Sequence, residues 1–361
     1  SAYSRTEYIA YREKVQSNTK LSQPLNTEIK ETTEKGKIWL EMEDIRYMDL
    51  SQRPFIPTGY TQIDKAIGGL MMGDISVLSG ISGSGKSSLL NNLILNAVEK
   101  GYKVAAWSGE MQDFRFQGWI TQAAAGKNYV TPKEGYENLY YVKKDIAKKI
   151  NSWLKGKLWL FNNAYGNKWE ILFEQIKNIR KEQSITLFVL DNLMALSIDS
   201  YSGEKNDKQS KFINDIKEFA KQEDIHIIIV AHPRKDMGFL RKESISGSGD
   251  IINLADNLFI IHRVGHDFNK RATDFYDEET VAKYSIYSNV VEIAKNRSFG
   301  KQDVLVGLYF EIESRRLKNE IAEHINYGWN EDIIYFPVTP TTDYYSLNQT
   351  NETEFDDLPE Y

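Results

Sequence analysis

The tightest constraint on this chain is eight residues long. Gly80-Ile-Ser-Gly-Ser-Gly-Lys86-Ser87 fits G-x-x-x-x-G-K-[ST], and it stands between an apolar β-type run, Ile75 to Ser79, and a stretch of helical spacing, Ser87 to Glu99. A strand, a glycine loop and a helix in that order make a phosphate cradle. Gly80, Gly83 and Gly85 let backbone N–H groups turn inward, the helix N-terminus adds partial positive charge, and Lys86 reaches the β- and γ-phosphates. Ser82, Ser84 and Ser88 count as further nucleotide-binding positions of the loop, and the Ser87 hydroxyl is placed to hold Mg²⁺. An ordinary glycine-rich turn would leave the Lys-Ser pair and both flanks unexplained.

Beyond the loop, apolar runs alternate with helical stretches. Val104 to Trp107, Leu158 to Phe161, Ile185 to Leu190 and His226 to Ala231 are predicted strands. Such alternation implies an α/β fold, a mainly parallel twisted sheet with helices on both faces. Runs at Leu258 to His262, Val290 to Ala294 and Val304 to Ile312 are expected to extend it as antiparallel strands.

Hydrolysis of a nucleotide needs an acid near the metal and a base for water. Asp191 ends the buried run Ile185 to Leu190 and so emerges at the carboxyl edge of the sheet, beside the phosphate loop. It is the expected Mg²⁺-linked aspartate. Glu110 follows the Val104 run and can polarise water in the same crevice; alone, a glutamate there is more often a solvated helix start, and its position in the βαβ order reverses that preference. His232 ends the His226 run and can hydrogen-bond a γ-phosphate.

Basic residues follow at once. Lys235, Arg241 and Lys242, with Gly247 and Gly249, lie in a charged, glycine-bearing stretch that reads as a mobile loop poor in core residues. The cations can neutralise polynucleotide phosphates and the glycines can bring backbone N–H groups close to them. A solvated charged loop is an equal reading.

Composition narrows the class. The 361 residues are 41% hydrophobic and 27% charged, enough to bury one large core or two modest ones. A net charge of −6 argues against a protein that coats nucleic acid with its whole surface and leaves room for local basic loops. With no cysteine and five scattered histidines, neither disulfides nor a zinc module is expected. No apolar run approaches membrane-spanning length, so no membrane contact is expected, and the polar N-terminus does not read as a signal peptide. The start at Ser1 reads as a processed product or fragment.

Several blocks in order resemble a family. They are Thr58 to Leu70, the phosphate loop, Ser108-Gly-Glu-Met, Val189-Leu-Asp-Asn-Leu, Ala231-His-Pro-Arg-Lys, Gly247 to Asp256, and Lys295-Asn-Arg-Ser-Phe-Gly300. Together they look like the motifs of hexameric replicative DNA helicases, most like the Twinkle and phage T7-type primase-helicases and more distantly like the DnaB type. The resemblance covers roughly residues 55 to 315 and implies a RecA-like P-loop core. It implies an ATP-driven (or other NTP-driven), Mg²⁺-dependent homo-hexamer that threads single-stranded DNA and unwinds a replication fork. It assigns Glu110 as catalytic glutamate, Asp191 as metal-linked aspartate, His232 as γ-phosphate sensor, and Arg297 as an arginine finger reaching the neighbour's nucleotide, with Lys295 beside it. Arg263 and Phe310 align loosely with base-stacking positions; a surface arginine and a core aromatic are equal readings. Lys205 and Lys208, after Asp191, match a DNA-holding pore loop, as does the loop after His232. A RecA- or RadA-type recombinase and a KaiC-like ring ATPase remain the alternatives.

Three regions are expected: an arm and linker helix over 1–50, with an amphipathic pattern from Ile38 to Met48 that would bridge subunits; the ATPase domain over 51–335; and an acidic tail over 336–361. The tail resembles those that contact a primase, a polymerase or a single-strand-binding protein, but the resemblance is weak, and a disordered solubilising tail is the favoured reading of the same residues. The resemblance implies the cytoplasm of a bacterial or phage-infected cell, with the mitochondrial matrix also open.

Overall fold

The central strands of the main sheet are apolar on both sides, and successive residues part to opposite faces. Leu78, Ala106, Val189 and Ile228 enter one core, whereas Val77, Ala105, Phe188 and Ile227 enter the other. The sheet is thus buried between two helical layers. The computed structural model describes residues 39–45, 53–198, 205–233, 239–242, 245 and 249–330.

The strands are β1 (Phe55–Ile56), β2 (Leu70–Met71), β3 (Ile75–Ser79), β4 (Val104–Ser108), β5 (Val130–Pro132), β6 (Tyr140–Val142), β7 (Leu158–Leu160), β8 (Leu187–Asp191), β9 (His226–Ala231), β10 (Asn257–Arg263), β11 (Asn289–Asn296), β12 (Val304–Glu311) and β13 (Arg316–Lys318). The helices are α1 (Thr61–Ile67), α2 (Lys86–Glu99), α3 (Asp113–Ala125), α4 (Lys144–Leu154), α5 (Trp169–Gln183), α6 (Lys205–Glu223), α7 (Gly249–Leu254), α8 (His266–Ala272) and α9 (Glu278–Tyr284).

The main sheet runs β13-β12-β11-β10-β3-β9-β8-β4-β7. From β10 to β7 every pairing is parallel, and from β10 to β13 every pairing is antiparallel. The run at Leu258 therefore departs from expectation: β10 lies parallel to β3, with Leu258 opposite Val77, and only its other edge meets an antiparallel strand. The long return through α6, β9 and α7 gives the chain enough length to cross over and enter β10 in the direction of β3.

On one face α1 to α4 cover the sheet; on the other lie α5, α6 and α7. A buried polar chain also crosses four strands. His226 Nδ1 donates to Met71 O (2.7 Å), which leaves Nε2 to accept from Ser76 Oγ (2.8 Å). Ser76 Oγ accepts from Asn257 Nδ2 (3.0 Å), Asn257 Oδ1 from Asn296 Nδ2 (2.7 Å), and Asn296 Oδ1 from Phe299 N (2.7 Å). Every member is satisfied, so these groups order the strands at low desolvation cost.

Two expectations change. Of the segment Ile38 to Met48, the described part forms one 3₁₀ turn, Met42–Asp44, closed by an extended Ile45, while Trp39 is 88% exposed. With no apolar surface against it among the described residues, its hydrophobic face gains nothing from helix formation in the single chain. The stretch after His232 is also richer in core than predicted, because Phe239, Leu240 and Ile245 are buried. The arm over 1–38 and the tail over 336–361 lie outside the described residues. No described helix is long and apolar enough to cross a membrane.

Candidate nucleotide site

Parallel strands end on one edge, and there the chain turns β3 into the phosphate loop and α2. Gly83 (φ 75°) and Gly85 (φ 101°) take left-handed conformations that an L side chain rarely adopts. At Gly80 a Cβ would lie 2.7 Å from the carbonyl of Ile261, so this strand end tolerates only glycine. Lys86 Nζ folds back onto the loop, donating to Gly80 O (2.7 Å) and Ile81 O (2.9 Å). A buried brace comes from β11: Asn289 Nδ2 donates to Ser84 O (2.7 Å). Ser82 is exposed, Ser87 half-buried at the first turn of α2, and Ser88 buried.

β9, β8 and β4 deliver the other groups to that edge. His232 Nε2 stands 2.9 Å from Glu110 Oε1 and 2.7 Å from Asn192 Nδ2. The Asn192 amide is oriented by Ala195 N–H, which donates to its Oδ1 (3.2 Å). One imidazole nitrogen therefore serves two partners in turn: protonated it donates to Glu110, and unprotonated it accepts from Asn192. Ser108 Oγ approaches Asp191 Oδ2 (3.4 Å) and accepts from Met111 N (3.2 Å), which shapes the turn carrying Glu110.

The electrostatics fit a cation-and-phosphate site. Burial raises the Asp191 carboxyl to about 6, the charge of Glu110 adds to the rise, and His232 and Lys86 oppose it. Burial likewise lowers Lys86, with Asp191 and Glu110 pulling the other way. An anionic pair of oxygens held in so dry a place is the donor type a hard divalent cation prefers, with Ser87 on the facing helix turn.

The remaining candidates divide by place. Arg263 ends β10 opposite Asn289 and is exposed at the phosphate-loop edge, and Phe310 of β12, 37% exposed, is tied by its N–H to Ser288 Oγ. Lys295 and Arg297 sit at the far end of β11, because that strand runs back from Asn289 toward the amino edge. Lys295 Nζ donates to Ile252 O (2.8 Å) and Asn253 O (2.9 Å); Arg297 Nη2 donates to Asn253 O (2.7 Å). Burial lowers the Lys295 pKa, and the charge of Arg297 lowers it further.

Among the polynucleotide candidates, Arg241 is corrected. Its guanidinium lies 3.0 Å from Oε1 of the fully buried Glu292 and 2.9 Å from Asp303 Oδ1, and donates to Tyr276 Oη (2.8 Å). A cation that neutralises a buried carboxylate cannot leave it without stranding that charge. Lys205 and Lys208 belong to the first turns of α6 rather than to a loop, since the strand end at Asp191 is followed by the 3₁₀ turn Leu193–Ala195 and then this helix. Gly249 opens α7, and Lys242 lies near enough to Lys295 to lower its pKa. Lys235 and Gly247 lie outside the described residues.

Asn192, Ser108 and Asn289 were missed. The first two carry a signal, a polar residue adjoining a strand-end acid. Asn289 carries none.

A family model, the DnaB-like helicase C-terminal domain, matches residues 55–319. The chain belongs to that family. The match spans all four groups on the carboxyl edge and both cations on the amino edge. Among curated relatives of this DnaB-like domain, replicative DNA helicase DnaB of Helicobacter pylori is 23% identical over 230 residues, covering 61% of this chain and 46% of the relative. DnaB of Mycoplasma pneumoniae is 24% identical over 259 residues, 67% of this chain and 52% of the relative. The chloroplastic/mitochondrial Twinkle homolog of Arabidopsis thaliana is 25% identical over 226 residues, 58% and 30%. The DnaB and Twinkle types are thus matched at comparable identity, and the chain spans about half the length, or less, of these relatives. Its fold is shared by a DnaB-like replicative helicase solved for its interactions with primase (TM-score 0.59, 17% identity, 73% of this chain and 62% of that one). A second solved structure, an isolated ATPase domain, has the same fold over nearly its whole length (TM-score 0.58, 17% identity, 75% and 93%).

Proposed function

We propose that this DnaB-like domain is the motor of an ATP-dependent replicative DNA helicase that assembles as a homo-hexamer, translocates on single-stranded DNA and unwinds duplex DNA at a fork. One observation carries the reading: the groups a nucleotide site needs stand on opposite edges of one sheet. Asn289 touches the phosphate loop, and Arg297 follows it by eight residues of β-strand and turn, roughly 26 Å at about 3.3 Å per residue. Arg297 therefore cannot serve the nucleotide of its own chain; only a neighbour presenting the same edge can complete the site, as in a ring.

In this reading Lys86 and the loop N–H groups from Gly80 to Ser87 bind the phosphates, and Ser87 with Asp191 holds Mg²⁺, which supplies charge neutralisation at the β- and γ-oxygens. Glu110 takes a proton from the attacking water. His232 trades its contact with Glu110 for the γ-phosphate, so nucleotide state alters both the base and the segment that follows His232. Arg297 and Lys295 of the next subunit offset the charge that builds during transfer, and Arg263 and Phe310 flank the base. Lys235, Lys242, Lys208 and the backbone at Gly247 face DNA. Primase is a candidate partner because a structural neighbour was solved for its interactions with one. The protein then works in the compartment that holds the replicating DNA, a reading supported by its likeness to bacterial and organellar relatives.

The test is DNA-stimulated ATP hydrolysis and fork unwinding by the purified protein, both expected to vanish in Lys86→Ala. A hexamer that hydrolyses ATP with no response to single-stranded DNA overturns the proposal. Arg297→Ala subunits mixed into wild-type rings should depress activity beyond their mole fraction; a proportional loss contradicts action on a neighbour.

A further inference from the structure

Three cations, Lys217 from α6 and Lys295 and Arg297 from the end of β11, converge on one small acceptor group at the amino edge of the sheet. Lys217 of α6 lies 3.0 Å from Asp256 Oδ1 and donates to Leu254 O (2.5 Å). Lys295 and Arg297 donate to Ile252 O and Asn253 O, and Arg297 Nη1 stands 3.2 Å from the same Asp256 Oδ1. The acceptors are the carbonyls of the last turn of α7, which have no partner within the helix, together with the carboxylate that follows it.

Asp256 does more than balance charge. Its Oδ2 accepts from Ile75 N (3.0 Å), its own N–H donates to Ile75 O (2.9 Å), and its carbonyl accepts from Arg297 N (2.8 Å). One residue, 5% exposed, therefore fixes both the backbone and the side chain of Arg297 and ties them to the first residue of β3, whose other end is the phosphate loop. The Arg297 side chain remains 49% exposed. Its backbone N–H and both terminal guanidinium nitrogens are held, and about half of the side chain still faces outward. The helix supplying the carbonyls begins at Gly249, where the segment following His232 ends.

We propose that Asp256 is a positioning residue for the trans-acting Arg297: with the last turn of α7 it holds the guanidinium in place for the neighbouring subunit. This rests on Arg297 acting on the neighbour's nucleotide. A purely structural Asp256, present only to neutralise Lys217, is the competing explanation. The two differ in what Arg297 feels.

The experiment is a double-mutant cycle on the full chain, measuring ATP hydrolysis with Mg²⁺ and a thymidine oligonucleotide, beside thermal melting and KM for ATP. Asp256→Asn should lower DNA-stimulated kcat at least tenfold and leave KM within about twofold. Since that variant strands the buried Lys217, Lys217→Met/Asp256→Asn serves as the fold-preserving companion; its melting temperature should recover while kcat stays low. Adding Arg297→Ala to either Asp256 variant should cost nothing more. The proposal is overturned if the losses from Asp256→Asn and Arg297→Ala multiply, or if Lys217→Met/Asp256→Asn regains wild-type turnover. Full activity in Arg297→Ala alone overturns the trans reading itself, and the single variant distinguishes that failure.

Discussion

His232 Nε2 lies 2.9 Å from Glu110 Oε1, so the candidate phosphate sensor and the candidate base are bonded to each other. The candidate base, itself exposed, is bonded to a group that has another partner in reach, Asn192, at 2.7 Å. Under the proposed function, engagement of a γ-phosphate by His232 would release Glu110.

Replacing Glu110 by Gln keeps the shape and removes the base. Turnover should fall by about 10²- to 10⁴-fold, with nucleotide affinity preserved. His232→Ala should also lower turnover without weakening nucleotide binding more than about threefold. Single-turnover hydrolysis beside equilibrium binding of a fluorescent ATP analogue checks both, and a parallel loss of affinity in Glu110→Gln would contradict its role as base.

Asn289 supports the phosphate loop from β11 without being placed to touch a nucleotide. Asn289→Ala leaves the buried carbonyl of Ser84 without its donor, a cost of about 1–3 kcal/mol. Nucleotide affinity should drop roughly tenfold as the loop loses its shape. Titration calorimetry checks this, and unchanged affinity would show that the loop is rigid without its brace.

Asp191 is expected to be a stability liability in the free protein. Its folded-state pKa, about 6, lies above the ordinary 3.8, so the contribution it makes in the protonated form is complete below about pH 4 and is lost as pH rises through 6. Asp191→Asn should therefore melt higher than wild type at neutral pH, by about 1–3 kcal/mol of stability, while losing hydrolysis. Mg²⁺ with a nonhydrolysable ATP analogue should raise the wild-type melting temperature more than that of the variant. A lower melting point in the variant would refute the argument.

His226 acts in the opposite direction. Burial holds its pKa near 4, below the ordinary 6.5, with the hydrogen bond to Met71 O and the charge of Asp256 opposing the shift. The stability it contributes is present above pH 6.5 and lost as pH falls toward 4, on the order of 3 kcal/mol across that window. Asp64, also raised to about 6 by burial, contributes an opposing slope beside Asp191, so denaturant unfolding at several pH values should show stability rising with pH relative to His226→Gln there. A flat profile that His226→Gln does not alter would exclude it.

Much of the site was legible because its signals are local. Glu110, Asp191 and His232 each follow an apolar run, and a parallel sheet brings such positions to one edge whatever the loops do. The contacts that support them are not local. Asn289 reaches Ser84 across 205 residues, and Asp256 reaches Ile75 across 181. Arg241 misled for the same reason: beside Lys242 it reads as a surface cation, and only its buried partner Glu292, from a distant strand, makes it structural.

By itself the sequence determined the phosphate loop, the α/β alternation and the residues at the strand ends, since glycine freedom, hydrophobic period and strand termination act over a few residues. The tertiary structure alone decided that β10 runs parallel to β3, that β11 carries the Asn289 brace at one end and Arg297 at the other, and that Asp256 joins that arginine to the strand of the phosphate loop. Those outcomes depend on which strands become neighbours. Neighbours are chosen by burial of whole faces and by the path of the long connections, and no single segment contains that information.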